Sequence, residues 1–146
     1  MAYLFDTNYF IRVADRNNPL RPTVLNVFKQ LRSQNRYFYI TPQVISEFWN
    51  VCTRPAAARG GLGFTPQRTA QKVELIRKHF TLLPDSLVTF DEWLRLVTQY
   101  SVSGTKVHDA KFVASMIVHG VKELITFNTA DFDRYKMINA IDPRDI

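Results

Sequence analysis

The sequence predicts an α/β fold, a three-layer sandwich in which a central, mostly parallel sheet of four to five strands is flanked by helices. Short apolar segments rich in aromatic and β-branched residues alternate along the chain with longer segments whose apolar residues recur at helical spacing. The chain has 146 residues, of which 46% are hydrophobic. We therefore expect one core and a single domain over residues 1–146.

Four segments are predicted to be strands because they are short, apolar and bounded by polar or turn-forming residues. They are residues 3–5, 37–40, 124–127 and 137–141. Residues 82–84 are predicted to form a further short strand or an extended link. The alternation of strands with helices favours parallel pairing, because a parallel connection needs a crossover long enough to contain a helix.

Several predicted helices have recognisable ends. Thr41-Pro42 and Thr65-Pro66 each combine a suitable N-cap with a proline at the first helical position. Gly120 is suited to end a helix in the left-handed conformation. The predicted helices are residues 7–16, 22–31, 42–52, 66–80, 86–100 and 107–119, followed by a helical turn at 131–135.

Charge is unevenly distributed along the chain, whose net charge is +6. Residues 1–78 contain 12 Lys and Arg against 4 Asp and Glu, and residues 79–146 contain 7 against 9. A basic surface attracts polyanions, of which nucleic acid is the commonest, although it also serves solubility alone. No apolar run is long enough for a membrane helix and no signal peptide is recognisable, so we expect a cytoplasmic protein without membrane contact.

Four acidic residues, Asp6, Glu47, Asp109 and Asp131, occupy positions unusual for surface charge. Asp6 directly follows an apolar strand, and Asp131 follows the strand that ends at residue 127. Glu47 shares a helix side with apolar residues, and Asp109 lies in the first turn of a helix. Each acid alone could serve as a helix cap, complement a helix dipole or face water.

Taken together, the four acids favour a metal site. In parallel α/β sheets, ligands bind beyond the carboxyl ends of the strands, which is where Asp6 and Asp131 lie. Converging carboxylates repel one another unless they are protonated or bind a cation. Hard oxygen ligands without clustered His or Cys select Mg²⁺ or Mn²⁺, and such an ion suits phosphodiester hydrolysis.

The motifs also resemble a known family. Four segments occur in the order and spacing of a PIN domain. They are Leu4-Phe5-Asp6-Thr7-Asn8, Ser46-Glu47-Phe48, His108-Asp109-Ala110 and the stretch from Thr126 to Phe132. The segment from Glu47 to Pro55, followed by Gly61-Leu62-Gly63, resembles the VapC-type toxin ribonucleases of type II toxin–antitoxin pairs. The similarity extends over nearly the whole chain.

The resemblance implies a function and assigns roles by position. The acidic quartet that binds Mg²⁺ or Mn²⁺ in the family is matched by Asp6, Glu47, Asp109 and Asp131. The polar positions that support this quartet are matched by Asn8, Thr126 and Asn128. The family cleaves RNA endonucleolytically, acts as a homodimer and is inhibited by a cognate antitoxin. Thr7 is expected to donate to a phosphate or a metal-bound water, or to cap a helix. Arg12, Arg54 and Lys106 lie near the motifs as possible RNA contacts, or as solvated charges.

Three alternatives stay open on the sequence alone. One is a PIN-domain nuclease that acts on DNA or on maturing RNA without an antitoxin. Another is a catalytically inactive nucleic-acid-binding PIN module, against which the complete acidic quartet argues. The last is a haloacid-dehalogenase-like phosphatase, which also begins with an apolar strand and an Asp. That class needs a second Asp two residues later, where this chain has Asn8.

Overall fold

The computed structural model describes residues 1–146 and contains one five-stranded sheet in which every neighbouring pair is parallel. The strand order is β3-β2-β1-β4-β5. The strands are β1 (Ala2–Phe5), β2 (Tyr37–Ile40), β3 (Thr81–Leu82), β4 (Glu123–Ile125) and β5 (Asn139–Ile141). The predicted α/β fold with a parallel sheet is confirmed.

Six α-helices connect the strands, close to the predicted positions. They are α1 (Thr7–Ala14), α2 (Arg21–Ser33), α3 (Pro42–Thr53), α4 (Pro66–His79), α5 (Leu87–Gln99) and α6 (Lys106–His119). Two short 3-10 helices cover Thr129–Phe132 and Pro143–Asp145, and the second was not predicted. Helix α1 ends two residues early because the chain turns at Asp15, whose backbone N–H donates to the Ile11 carbonyl as a helix C-cap.

The helices form two packed groups, α1 to α4 and α5 with α6. The connections from β1 to β2 and from β2 to β3 advance along the sheet in one direction. The connection from β3 to β4 then returns to the far side of β1. Right-handed crossovers in opposite directions place the two groups on opposite faces of the sheet. The sheet is therefore covered on both sides, which explains why β1 is almost wholly apolar.

The core is centred on β1. Leu4 and Phe5 are fully buried, and the Phe5 ring makes edge-to-face contacts with Phe38 on β2 and with Phe80 after α4. On its other side β1 pairs with β4, so that Phe5 lies opposite Ile125. These contacts fix the ends of β1 and β4 side by side, at the point where the strand order reverses.

One apolar stripe does not enter the core. On α5, Leu87, Phe90 and Leu94 are spaced i, i+3 and i+7, yet their exposed fractions are 75%, 53% and 48%. The opposite side of α5, which includes the buried Leu96, packs on α6. None of the helices has both the length and the apolar composition needed to cross a bilayer.

Candidate active site

Asp6 lies at the topological switch point of the sheet, directly after β1. Its backbone N–H donates to the Ile125 carbonyl at the end of β4, over 2.9 Å. Its side chain caps α1 by accepting the Thr7 backbone N–H at 2.6 Å. The two expectations for Asp6, a helix cap and a site residue, are therefore compatible, because the capping carboxylate is also one of the residues that line the cleft described below.

Two further side chains fix the Asp6 carboxylate. The Thr126 hydroxyl donates to Asp6 Oδ2 at 2.7 Å, and the Asn8 amide donates to the same oxygen at 3.2 Å. Asn8 also accepts the Phe127 backbone N–H, and Thr126 accepts the Asn128 backbone N–H at 3.0 Å. The polar residues after β1 and β4 thus form one network around a carboxylate that is only 7% exposed.

Glu47 reaches the same region from α3. Its Oε2 accepts the Thr7 hydroxyl at 2.7 Å, and its Oε1 accepts the Gln43 side-chain amide at 2.8 Å. The same Gln43 amide donates to the His108 carbonyl at the start of α6, over 3.0 Å. Gln43 therefore connects the helix of Glu47 to the helix of Asp109. Gln43 was not predicted as a site residue, because its only signal in the sequence is the i, i+4 spacing to Glu47.

Asp109 and Asp131 occupy the other side of the site and are more open. The Lys106 ammonium lies 2.6 Å from Asp131 Oδ1 and 3.8 Å from Asp109 Oδ2. The exposed side-chain fractions are 25% for Asp109 and 35% for Asp131. Lys106, predicted as a possible RNA contact, is thus an ion-pair partner of two predicted metal ligands.

Three of the four acids line a polar cleft of about 350 Å³. Asp6, Glu47 and Asp109 line it, whereas Asp131 lies beside Asp109 and Lys106 outside its lining. Thr7, Asn8, Asn128 and Arg54 also line the cleft. Arg12 does not: its guanidinium stacks on the Phe127 ring at 4.0 Å and donates to the Asn8 carbonyl.

Arg54 is placed at the cleft by a tightly folded loop. Its guanidinium donates to the Arg59 carbonyl at 3.0 Å, and its own carbonyl accepts the Gly63 N–H at 2.8 Å. A Cβ on Gly61 would lie 2.4 Å from the Pro55 carbonyl oxygen and 2.5 Å from that of Arg54. Gly61 is required because the backbone passes so close, and any side chain would displace the loop that orients Arg54.

The carboxylates influence one another electrostatically. The pKa of Asp6 is raised to about 6. Burial is the largest cause and the charges of Glu47 and Asp109 add to it, while the hydrogen bonds from Thr126 and Thr7 partly offset it. Burial also raises the pKa of Asp109, and Asp131 and Glu47 add to that effect while Lys106 opposes it. A cation in the cleft would relieve both the burial cost and the mutual repulsion.

The donor set suits a hard divalent cation bound with water. No three His, Cys, Asp or Glu side chains stand close enough together to hold a metal ion by themselves. Mg²⁺ does not need such a group, because it keeps several waters and uses one or two carboxylates. Oxygen donors without imidazole or thiolate suit a hard cation such as Mg²⁺ or Mn²⁺ better than the Cys and His sets of structural zinc sites do.

Comparison with known proteins establishes the family. The family model described as PIN domain matches residues 3–137. The chain belongs to the PIN-domain family. The predicted resemblance is confirmed on this point, and a search of curated proteins finds no match.

Solved structures of the same fold include toxin–antitoxin proteins. A VapBC2 complex of Rickettsia felis bound to a promoter DNA fragment aligns with a TM-score of 0.71 and 15% identity, over 97% of this chain and 98% of that one. VapBC-1 of nontypeable Haemophilus influenzae aligns at 0.68 and 16%, over 99% of both chains. Mycobacterium tuberculosis VapC20, described as a sarcin–ricin loop cleaving toxin, aligns at 0.61 and 13%, over 91% and 95%. At these identities, the PIN chain is similar to them in fold.

Proposed function

We propose that this PIN-domain protein is a metal-dependent endoribonuclease that acts as the toxin of a type II toxin–antitoxin pair. The observation that supports the chemistry is the buried, hydrogen-bonded Asp6 at the strand switch point, in one cleft with Glu47 and Asp109. The similarity in fold to VapC20 and to the VapBC complexes supports the choice of RNA as substrate and of an antitoxin as partner.

In this proposal, Asp6, Asp109 and Asp131 would hold Mg²⁺ or Mn²⁺ directly or through water, and Glu47 completes the pocket. An ion held there would supply an activated water and positive charge beside the scissile phosphate. Glu47, fixed by Thr7 and Gln43, is positioned to orient the attacking water. Thr126 and Asn8 keep the Asp6 carboxylate directed at the cleft, and Arg54 binds a substrate phosphate.

The Asp6→Ala variant tests the site. We expect it to lose more than about 100-fold in cleavage rate, since even a supporting residue of a metal site contributes 10- to 100-fold. Wild type and variant are compared on single-stranded RNA and DNA with Mn²⁺ and with EDTA, and circular dichroism verifies the fold. Metal-dependent cleavage that survives in Asp6→Ala, or wild-type cleavage of DNA alone, would contradict the proposal. Co-purification with the product of a neighbouring small reading frame tests the antitoxin partner.

We also propose a homodimer that buries the exposed stripe of α5. Leu87, Phe90 and Leu94 form an apolar surface on one helix side, and a two-fold dimer can pair such a surface with its own copy. Leu94→Glu is expected to shift the protein from dimer to monomer in light scattering after size exclusion. A dimer of unchanged mass in this variant would place the interface elsewhere.

A further inference from the structure

A cluster of four cations, Arg16, Arg21, Arg68 and Lys72, lies outside the cleft and has no carboxylate partner. Arg16 and Arg21 flank the turn between α1 and α2, while Arg68 and Lys72 are one turn apart on α4. The five ion pairs of the structure, with N–O distances up to 4.0 Å, involve none of the four. Asp15, the nearest acid in sequence, accepts the Asn17 backbone N–H instead.

Arg68 and Lys72 share the Phe64 ring, and the charges of Arg16 and Arg21 reach Lys72. Partial burial lowers the pKa of Lys72, and the charges of Arg68, Arg16 and Arg21 lower it further. Arg68 stacks on Phe64 with its guanidinium 3.9 Å from the ring centre, and the Lys72 ammonium lies 5.2 Å from that centre. Arg21 donates through Nε to the Val13 carbonyl at 2.9 Å, which orients its guanidinium. Folding therefore brings like charges together at a cost that an anion would offset.

The cluster is connected to the cleft through the backbone. The Phe64 N–H donates to the Cys52 carbonyl at 2.8 Å, and the Leu62 N–H donates to the Val51 carbonyl at 3.1 Å. Val51 and Arg54, at the end of α3, line the cleft. Helix α1 starts at the cleft with Thr7, and Arg16 follows its end. Its eight residues span about 12 Å, so the distance from the cleft to Arg16 is short enough for one RNA strand to reach both.

We propose that Arg16, Arg21, Arg68 and Lys72 form a docking surface for the phosphate backbone of the RNA strand whose scissile bond lies in the cleft. The inference rests on the proposed nuclease function and adds the path that the RNA strand takes as it leaves the cleft. Three of the four cations are arginines, whose planar guanidinium matches phosphate oxygens. A strand whose scissile bond lies in the cleft passes within one length of α1 of these cations and carries a phosphate at every nucleotide, so this position favours the strand over an acidic protein as the occupant.

The test measures binding of a labelled single-stranded RNA of random sequence in EDTA, as a function of KCl concentration. The Arg68→Gln/Lys72→Gln variant should reduce the slope of log K on log salt by about 1.4, since each single-strand phosphate contact contributes about 0.7. In Mn²⁺ it should raise KM for long RNA and leave kcat unchanged. Arg68→Lys/Lys72→Arg, which keeps both charges, should retain the wild-type slope.

The matched control is Lys122→Gln/Lys136→Gln. It makes the same change in net charge at two exposed lysines that precede β4 and β5, at the opposite edge of the sheet from the cleft. The inference would be overturned if this control lost as much of the salt slope as the Arg68→Gln/Lys72→Gln variant, or if that variant kept the wild-type slope. It would also be overturned if polyglutamate bound as tightly as RNA and its binding depended equally on Arg68 and Lys72. Failure of the nuclease proposal is distinguishable, because wild type would then lack Asp6-dependent cleavage whatever its salt dependence.

Discussion

The two sides of the candidate site are built in different ways. On one side, Asp6 follows the central strand, is almost fully buried and accepts hydrogen bonds from Thr7, Asn8 and Thr126. On the other side, Asp109 and Asp131 belong to α6 and to a 3-10 helix, are partly exposed, and share one flexible cation, Lys106. Hydrogen bonds from the residues that follow β1 and β4 fix the first side, whereas the second depends on a charge balance that a bound metal would alter.

The largest expected effect concerns the cost of ionising Asp6 in the absence of metal. The pKa of Asp6 is raised from 3.8 to about 6 in the folded protein, so the folded state binds the proton more tightly than the unfolded state. Stability of the metal-free protein should therefore fall as the pH rises from about 4 to 6, by about 3 kcal/mol for the shift cited. Asp6→Asn, which stays neutral, should remove most of this loss.

Urea unfolding in EDTA at pH 4 and pH 8 measures this effect. We expect Asp6→Asn to be more stable than wild type at pH 8 and nearly equal to it at pH 4. Asp133→Asn is the control, because that carboxylate is exposed and lies outside the cleft. A variant that is less stable than wild type at pH 8 would show that the hydrogen bonds to Asp6 outweigh its burial.

The second prediction tests the hydrogen-bonded side through Thr126. Thr126→Val keeps the shape of a fully buried side chain but removes the donor to Asp6 and the acceptor for Asn8 and Asn128. We expect cleavage to fall about 10- to 100-fold and stability to fall by about 1–3 kcal/mol.

Thr89→Val is the matched control for this loss. Thr89 is also buried and its hydroxyl is hydrogen-bonded to the Ser86 hydroxyl, but it lies in the first turn of α5, away from the four acids of the site. It should destabilise the protein with little effect on kcat. Equal losses of kcat in the two variants would mean that Thr126 acts through stability alone and does not position Asp6.

The same contrast explains what the sequence could predict. The position of Asp6 follows from local rules, because an apolar strand followed by a polar residue identifies the carboxyl end of a parallel strand. The fold, the strands and most helix boundaries were predictable for this reason. Contacts between distant segments were not: no local pattern indicates that Gln43 connects Glu47 to His108, or that Lys106 pairs with Asp131.

The exposure of the apolar stripe on α5 and the stacking of Arg12 on Phe127 could not be predicted either, because both depend on contacts between distant segments. The spacing of Leu87, Phe90 and Leu94 is that of a buried helix face, and only the position of α6 shows which side of α5 is covered. Arg12 lies close to Asp6 in sequence, yet its guanidinium stacks on Phe127 outside the cleft lining. Its role as an RNA contact stays a prediction.

The smallest expected effect concerns the open side and tests whether Lys106 occupies the place of a metal there. Lys106 is hydrogen-bonded to Asp131, which raises the Lys106 pKa and keeps the ammonium charged. A divalent ion that binds Asp131 must compete with this ammonium. Lys106→Met should therefore tighten Mn²⁺ binding, by less than about fivefold because exposed ion pairs are weak.

Calorimetric titration with Mn²⁺ measures the change in affinity. Lys111→Met is the control: it removes the same charge from the same helix, where Lys111 pairs with Asp85, and it should leave the Mn²⁺ affinity unchanged. If Lys106→Met instead weakens Mn²⁺ binding, the lysine orients Asp131 for the metal. The side of the site that contains Asp109 and Asp131 is then as preorganised as the side around Asp6.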